Sequence, residues 1–268
     1  MKKKKKRVSI STIILVGIMI VGIGVMAYPW ISDYINRLHA SRAVAGYTEA
    51  VSGMDPEEIV RLWKQASDYN KSLLKKQDRF TLTKKEEQEY NDILNINGPG
   101  IMAYIEIPKI DVTLPIYHGT DEAVLQIAIG HFMGSTMPVG GPNTHMIITG
   151  HRGLPSAKLF TDLDKMEKGD RFYIQTLTIR LTYEVDQITT VLPDQVTSLE
   201  IEKDQDYVTM VTCTPYGINT HRLLVRGKRI REPGEIMPDE EGFVEYMKAK
   251  EKEKAEQAAE QAAADSEQ

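Results

Sequence analysis

The chain holds one thiol in 268 residues, Cys213. It closes an apolar run, Tyr207-Val208-Thr209-Met210-Val211-Thr212, and is followed by Thr214-Pro215-Tyr216-Gly217. The run reads as a strand and the tetrapeptide as a turn. A cysteine at a strand exit is held by a rigid element yet faces solvent, which suits a nucleophile. A buried, inert thiol is the commoner fate of a free cysteine, so position alone leaves both readings open. A lone cysteine does exclude an intramolecular disulfide framework and any multi-cysteine zinc site.

A thiol nucleophile needs a proton partner and a group that holds developing negative charge. Of six histidines, His151 leads. It follows the apolar run His145–Thr149 and sits in Thr149-Gly150-His151-Arg152-Gly153, where flanking glycines allow close backbone approach. His145 begins that run and reads as structural. His118 and His131 flank a predicted helix and are candidates to line a substrate cleft, as is Thr212 beside the thiol. His39 reads as surface and His221 as part of a turn. Arg222 begins the next strand, nine residues past Cys213. A hairpin would bring it back beside the thiol, where a guanidinium fork can hold an oxyanion or a substrate backbone. A surface arginine is the alternative. Arg226, Lys228, Arg229 and Arg231 read as a solvated edge.

The elements that must position these groups change character along the chain. Lys2 to Arg7 are six consecutive cations, and Val8 to Tyr28 carries no charge. About 20 helical residues span a ~30 Å hydrocarbon core, so residues 8–28 read as a transmembrane helix ending at Pro29 and Trp30. The basic segment, residues 1–7, stays cytoplasmic and the rest faces outward. A cleaved signal peptide is the rival, with Val25-Met26-Ala27 as its cleavage box, but the apolar run is long for one. Residues 32–100 read as an extracytoplasmic helical region. Asp55-Pro56-Glu57-Glu58 is a helix start, and Thr83 with Glu86 a capping box. Between those helices lies Asp78-Arg79-Phe80, where Lys75, Lys76 and Arg79 favour solvation.

From Ile101 the period becomes two. Short strands follow at 101–107, 112–116, 145–149, 171–176, 179–185, 207–212 and 222–227, with short helices expected near 121–129 and 157–166. Many short strands between Gly/Pro turns predict a mainly β fold, a closed barrel. Residues 232–268 read as a charged, solvated tail, almost entirely Lys, Glu, Ala and Gln beyond Lys248. The net charge of −5 excludes a basic nucleic-acid binder, and 41% hydrophobic residues suit a globular domain. Asp162, Asp164, Glu167 and Asp170 read as surface acids; neither a metal nor a cofactor is expected.

Several segments together resemble the sortase family. Thr209-Met210-Val211-Thr212-Cys213 is similar to its T-L-x-T-C signature, with Met in place of Leu. Cys213 through Gly227, including Thr214-Pro215-Tyr216-Gly217-Ile218-Asn219-Thr220-His221-Arg222, resembles the segment of class C sortases, the pilin polymerases. Thr149 to Pro155 resembles their histidine loop, and Tyr104-Ile105-Glu106-Ile107-Pro108 with Leu114 to Thr120 their first strands. The resemblance covers residues 101–231 and implies a sortase-type closed β-barrel with short helices, preceded by the helical region and the membrane helix. It implies a membrane-anchored cysteine transpeptidase that cleaves an L-P-x-T-G-like sorting signal between Thr and Gly, forms a thioacyl-enzyme, and passes the acyl group to an amine. Cys213 would be the nucleophile, His151 the acid for the leaving amine and Arg222 the stabiliser, with thiolate beside imidazolium as the active form. Partners implied are sorting-signal-bearing surface proteins or pilin subunits, with the acceptor amine from a pilin lysine or a cell-wall precursor.

Two features depart from that class. The Asp-Pro-aromatic lid has no clear counterpart: the one Asp-Pro is the helix cap at Asp55-Pro56, and Asp78 with Phe80 marks a candidate vestigial lid. The C-terminal tail carries no second span. Rival readings are a wall-anchoring sortase with the same catalytic groups and a non-catalytic extracellular barrel. A papain-like hydrolase would place cysteine before histidine and at a helix start, the reverse of what is seen here.

Overall fold

A computed structural model describes residues 10–96, 98, 100–195, 199–233, 235–238, 240–249, 252 and 256. The first six cations, Lys2 to Arg7, lie outside these residues. Among the described residues, the helices that flank or precede the barrel are α1 (Ile10–Ser52), α2 (Pro56–Leu73), α3 (Lys84–Asp92) and α4 (Glu122–Leu125). Eight strands are β1 (Ile101–Ile107), β2 (Val112–His118), β3 (Ile129–His131), β4 (Thr144–Thr149), β5 (Arg171–Thr176), β6 (Ile179–Val191), β7 (Asp206–Thr214) and β8 (His221–Ile230). They close into a barrel in the order β1-β2-β3-β4-β7-β8-β6-β5. Period-two apolar residues fill its interior: Ile105, Ile116, Ile148, Phe172, Leu181, Val208, Met210 and Val225 are fully buried. Each such side chain contributes about 1.5–3 kcal/mol by leaving water.

The pairing fixes which groups share an end. Strands β4 and β7 run parallel, with Thr144 opposite Asp206 and Thr149 opposite Val211. Antiparallel β8 sets Arg222 opposite Cys213, and β6 sets Val191 opposite Arg222. The turn Pro108–Asp111 between β1 and β2 lies at this same Cys213 end. Asp206, Thr144 and the β5–β6 turn lie at the far end.

Several elements differ from the sequence expectation. Helix α1 runs through Pro29 instead of ending there. Proline removes only one backbone bond, so the helix continues, and in the next turn Ser32 Oγ donates to the Tyr28 carbonyl at 2.8 Å. The helix near 121–129 shortens to α4 and gives way to β3, a three-residue strand with no periodicity to announce it. The stretch 157–166 holds only a single 3₁₀ turn, Leu163–Lys165. Strand β6 extends to Val191 through a bulge at Val185–Gln187. The capping box is present, whereas the Asp55 side chain makes no cap bond. The tail is not wholly solvated: residues 243–249 are helical, and Phe243 is buried in the core. Residues 257–268 lie outside the described residues.

Candidate active site

Alternation along β7 places Val208 and Met210 inward and Thr209, Val211 and Cys213 outward, and Cys213 is half-buried. Directly opposed antiparallel residues have Cβ atoms about 4.5–5.5 Å apart on one face, so Arg222 stands beside the thiol. Its Nη1 donates to the carbonyls of Asn219 (3.2 Å) and His221 (3.1 Å), which holds the guanidinium at the rim of the hairpin loop.

His151 reaches the same place from β4. It and Cys213 each lie two residues beyond the Thr149–Val211 pair, on neighbouring parallel strands. Two bonds seal the junction: Gly150 N donates to Val211 O at 3.1 Å, and Thr212 Oγ1 donates to Gly150 O at 2.8 Å. His151 is 29% exposed, and its Nε2 is buried without a hydrogen-bond partner, 3.6 Å from Glu122 Oε1 of α4.

Sequence reasoning missed Arg152. Its buried guanidinium donates to Thr161 O (3.2 Å), Thr214 Oγ1 (3.3 Å) and Asp164 Oδ2 (2.5 Å), tying the histidine loop to the end of β7 and to the following loop. Gly153, at φ +75°, leaves room for Tyr216: a Cβ there would lie 2.9 Å from the Tyr216 ring. The signal was adjacency to His151, which gives no hint that the side chain turns inward.

The structure places the three cleft candidates in different surroundings. Thr212 is buried and acts as the brace to Gly150. His131 is fully buried; Tyr90 Oη lies 2.9 Å from its Nδ1, and its Nε2 lies 2.9 Å from Thr136 O. Burial pushes its pKa down to about 3. His118 clamps the α3–β1 connection, its Nδ1 2.8 Å from Gly100 O and its Nε2 2.7 Å from Ile93 O. Burial lowers its pKa, and the two carbonyls counter that.

The 74–83 loop is also unlike the expectation. Asp78 is exposed and binds Phe80 N (3.2 Å) and Thr81 Oγ1 (2.6 Å). Arg79 is not solvated but 6% exposed, donating to Gly134 O at 3.0 Å and to Leu199 O. Gly134 is required there, since a Cβ would lie 2.0 Å from Arg79 O. Phe80 packs edge-on against Phe132, 5.5 Å between centroids. Phe132 N bonds Ile147 O, and Ile147 pairs with Thr209, four residues or about 13 Å of strand from Cys213.

A half-buried thiol, an imidazole with a free nitrogen and a guanidinium at one end of a closed eight-stranded barrel can perform nucleophilic acyl chemistry. The family model for the Sortase domain matches residues 105–230, and the chain belongs to the sortase family. Solved structures similar to this chain include class C sortases. Sortase C1 from Streptococcus agalactiae is 49% identical, with a TM-score of 0.69, over 71% of this chain and 99% of that one. Streptococcus pneumoniae sortase C, whose structure bears on pilin substrate specificity, is 44% identical with a TM-score of 0.66, over 73% of this chain and 100% of that one. Sortase D of Bacillus subtilis is 30% identical over 47% of this chain, which spans 62% of that relative's length. No group of three or more His, Cys, Asp or Glu among the described residues is arranged to hold a metal.

Proposed function

We propose that the protein is a membrane-anchored cysteine transpeptidase that joins an L-P-x-T-G-like sorting signal to an amine, a lysine of a pilin subunit. The observation that carries this reading is the convergence of Cys213, Arg222 and His151 through strand register alone. The Cys213 thiolate attacks the Thr carbonyl carbon, and the Arg222 fork holds the resulting oxyanion. The Thr–Gly bond breaks as His151 gives its proton to the departing amine. The acceptor amine then attacks the thioester, its surplus proton passes to His151, an amide forms and the thiolate is released.

Likeness to class C sortases supports a pilin lysine as acceptor. Helix α1 contains one stretch long and apolar enough to cross a membrane, which supports anchoring. The cations at Lys2 to Arg7 support a cytoplasmic N-terminus and an outward-facing barrel. The test offers a sorting-signal peptide with two acceptors at equal concentration, a lysine-bearing pilin domain and a cell-wall precursor amine. A product linked through the pilin lysine is expected; exclusive transfer to the wall amine would make this a wall-anchoring enzyme.

A further inference from the structure

Helix α1 and the barrel together set which end of the barrel faces the bilayer. The argument rests on the reading of α1 as a membrane anchor. The first hydrogen bonds between α1 and the barrel come just after its apolar stretch, and all lie at the Cys213 end. Ser32 Oγ donates to Pro155 O (3.2 Å), Asp33 Oδ1 accepts from Lys158 N (2.8 Å), and Asn36 Nδ2 donates to Ile127 O (3.3 Å). Lys158 Nζ in turn bonds Ile110 O in the β1–β2 turn. Fourteen residues after Asp33, about 21 Å along the helix, Tyr47 Oη accepts from Leu177 N and donates to Met102 O at the far end. The helix therefore lies along the barrel, and its membrane half projects past the end that carries the thiol.

Tyr28 and Trp30 mark the interfacial belt, so Ser32 follows Trp30 by only about 3 Å of helix rise. The loops at the Cys213 end extend beyond the strands toward that level. Their side chains match such a setting. Among the described residues of the barrel, five large apolar side chains are exposed: Ile127, Phe132, Leu192, Tyr216 and Ile218. All but Phe132 lie at the Cys213 end. Tyr216 and Ile218, 60% and 67% exposed, cap the β7–β8 loop, and Leu192 follows the end of β6. Apolar side chains scattered over a barrel need no explanation, but gathered at the end nearest the bilayer they form a surface that favours lipid contact.

We propose that the barrel rests on the outer membrane face with its Cys213 end down, the Leu192, Tyr216 and Ile218 rim lying in the headgroup layer. The thiol then meets peptide held at the bilayer surface in preference to peptide free in solution.

The test uses the full chain in vesicles of phosphatidylcholine and phosphatidylglycerol. Cys213→Ser removes the native thiol, and one new cysteine is placed by Ile218→Cys at the rim or Lys203→Cys at the far end, each labelled with an environment-sensitive fluorophore. Lipid spin-labelled near its headgroup should quench the probe at position 218 severalfold and leave that at 203 unchanged. Protein that floats with the vesicles while both probes stay unquenched would overturn the docking and leave the anchor intact. Quenching at 203 alone would invert the orientation. Protein that fails to float would overturn the anchor and the docking together.

Discussion

Strand β4 has a histidine at each end, and the two rings sit in opposite circumstances. His145, at the far end, is fully buried with both nitrogens engaged. Its Nδ1 donates to Glu200 O at 2.8 Å, and its Nε2 accepts from Thr209 Oγ1 at 2.7 Å. Burial pushes its pKa down to about 4, so it stays neutral and structural. His151, just past the other end, is partly exposed and keeps an Nε2 without a hydrogen-bond partner. A ring whose valences are filled holds loops together; a ring with a spare nitrogen beside a thiol can move a proton.

The sharpest way to break this contrast is to exchange the losses. His151→Ala and Arg222→Ala should each lower kcat/KM by about 10² or more, with urea midpoints close to the parent's. Arg222→Lys should also be poor, because an ammonium lacks the planar fork. His145→Ala should instead cost about 1–3 kcal/mol of stability, because Glu200 O and the Thr209 hydroxyl lose their partner. His221→Ala and Arg226→Ala should cost far less activity, Arg226 being paired with Asp186 at 2.7 Å and Glu202 at 3.2 Å. A folded His145→Ala as inactive as His151→Ala would erase the distinction.

Acid sharpens the same comparison. His131 and His145 are held neutral in the fold, at about 3 and about 4, but take up a proton near 6.5 once unfolded. The unfolded state therefore binds more protons below pH 6.5, and stability falls as pH falls. Between pH 7 and 5 each ring accounts for a loss of about 2 kcal/mol. Buried Asp206, raised to about 6 by desolvation, binds its proton more readily when folded and restores about 1 kcal/mol over that range. The urea midpoint should drop on going from pH 7 to 5, and the drop should shrink in His145→Gln. A midpoint that rises on acidification would contradict the assignment of these rings as neutral.

Smaller effects are expected around the thiol. Arg152→Ala should lower kcat/KM about tenfold, mainly through kcat, as the histidine loop loses its tie to Thr214 and Asp164. Arg152→Lys should recover part of the loss, and a fully active Arg152→Ala would remove the residue from the positioning set. Phe80→Ala should change the rate of Cys213 with a small thiol reagent by no more than about threefold, since Phe80 packs on Phe132. A tenfold acceleration would place Phe80 over the thiol.

Much of this was legible in the sequence, and its limits have physical reasons. Short apolar runs announced seven of the strands: β1 and β5 alternate because one face is buried, whereas β4 reads as a continuous run because both faces are covered. Strand β3 escaped, since three residues, Ile129, Gly130 and His131, are too few to display a period. The nine-residue spacing from Cys213 to Arg222 anticipated their pairing, because a hairpin converts spacing into register. That the ring nitrogens of His118 and His131 are engaged was not legible, because an imidazole near a turn looks the same in sequence whether its nitrogens are free or filled. Arg79 was misread for a like reason: local charge suggested water, and the carbonyls of Gly134 and Leu199 that bury it come from distant loops.

The most direct test of the central claim is the intact mass of the protein during turnover. Incubated with a sorting-signal peptide and no acceptor amine, the chain should gain the mass of the peptide up to its Thr. Digestion should place that mass on the fragment holding Cys213, hydroxylamine should release it, and Cys213→Ala should show neither adduct nor cleavage. Cleavage that persists in Cys213→Ala, or an acyl mass on any other fragment, would contradict the account.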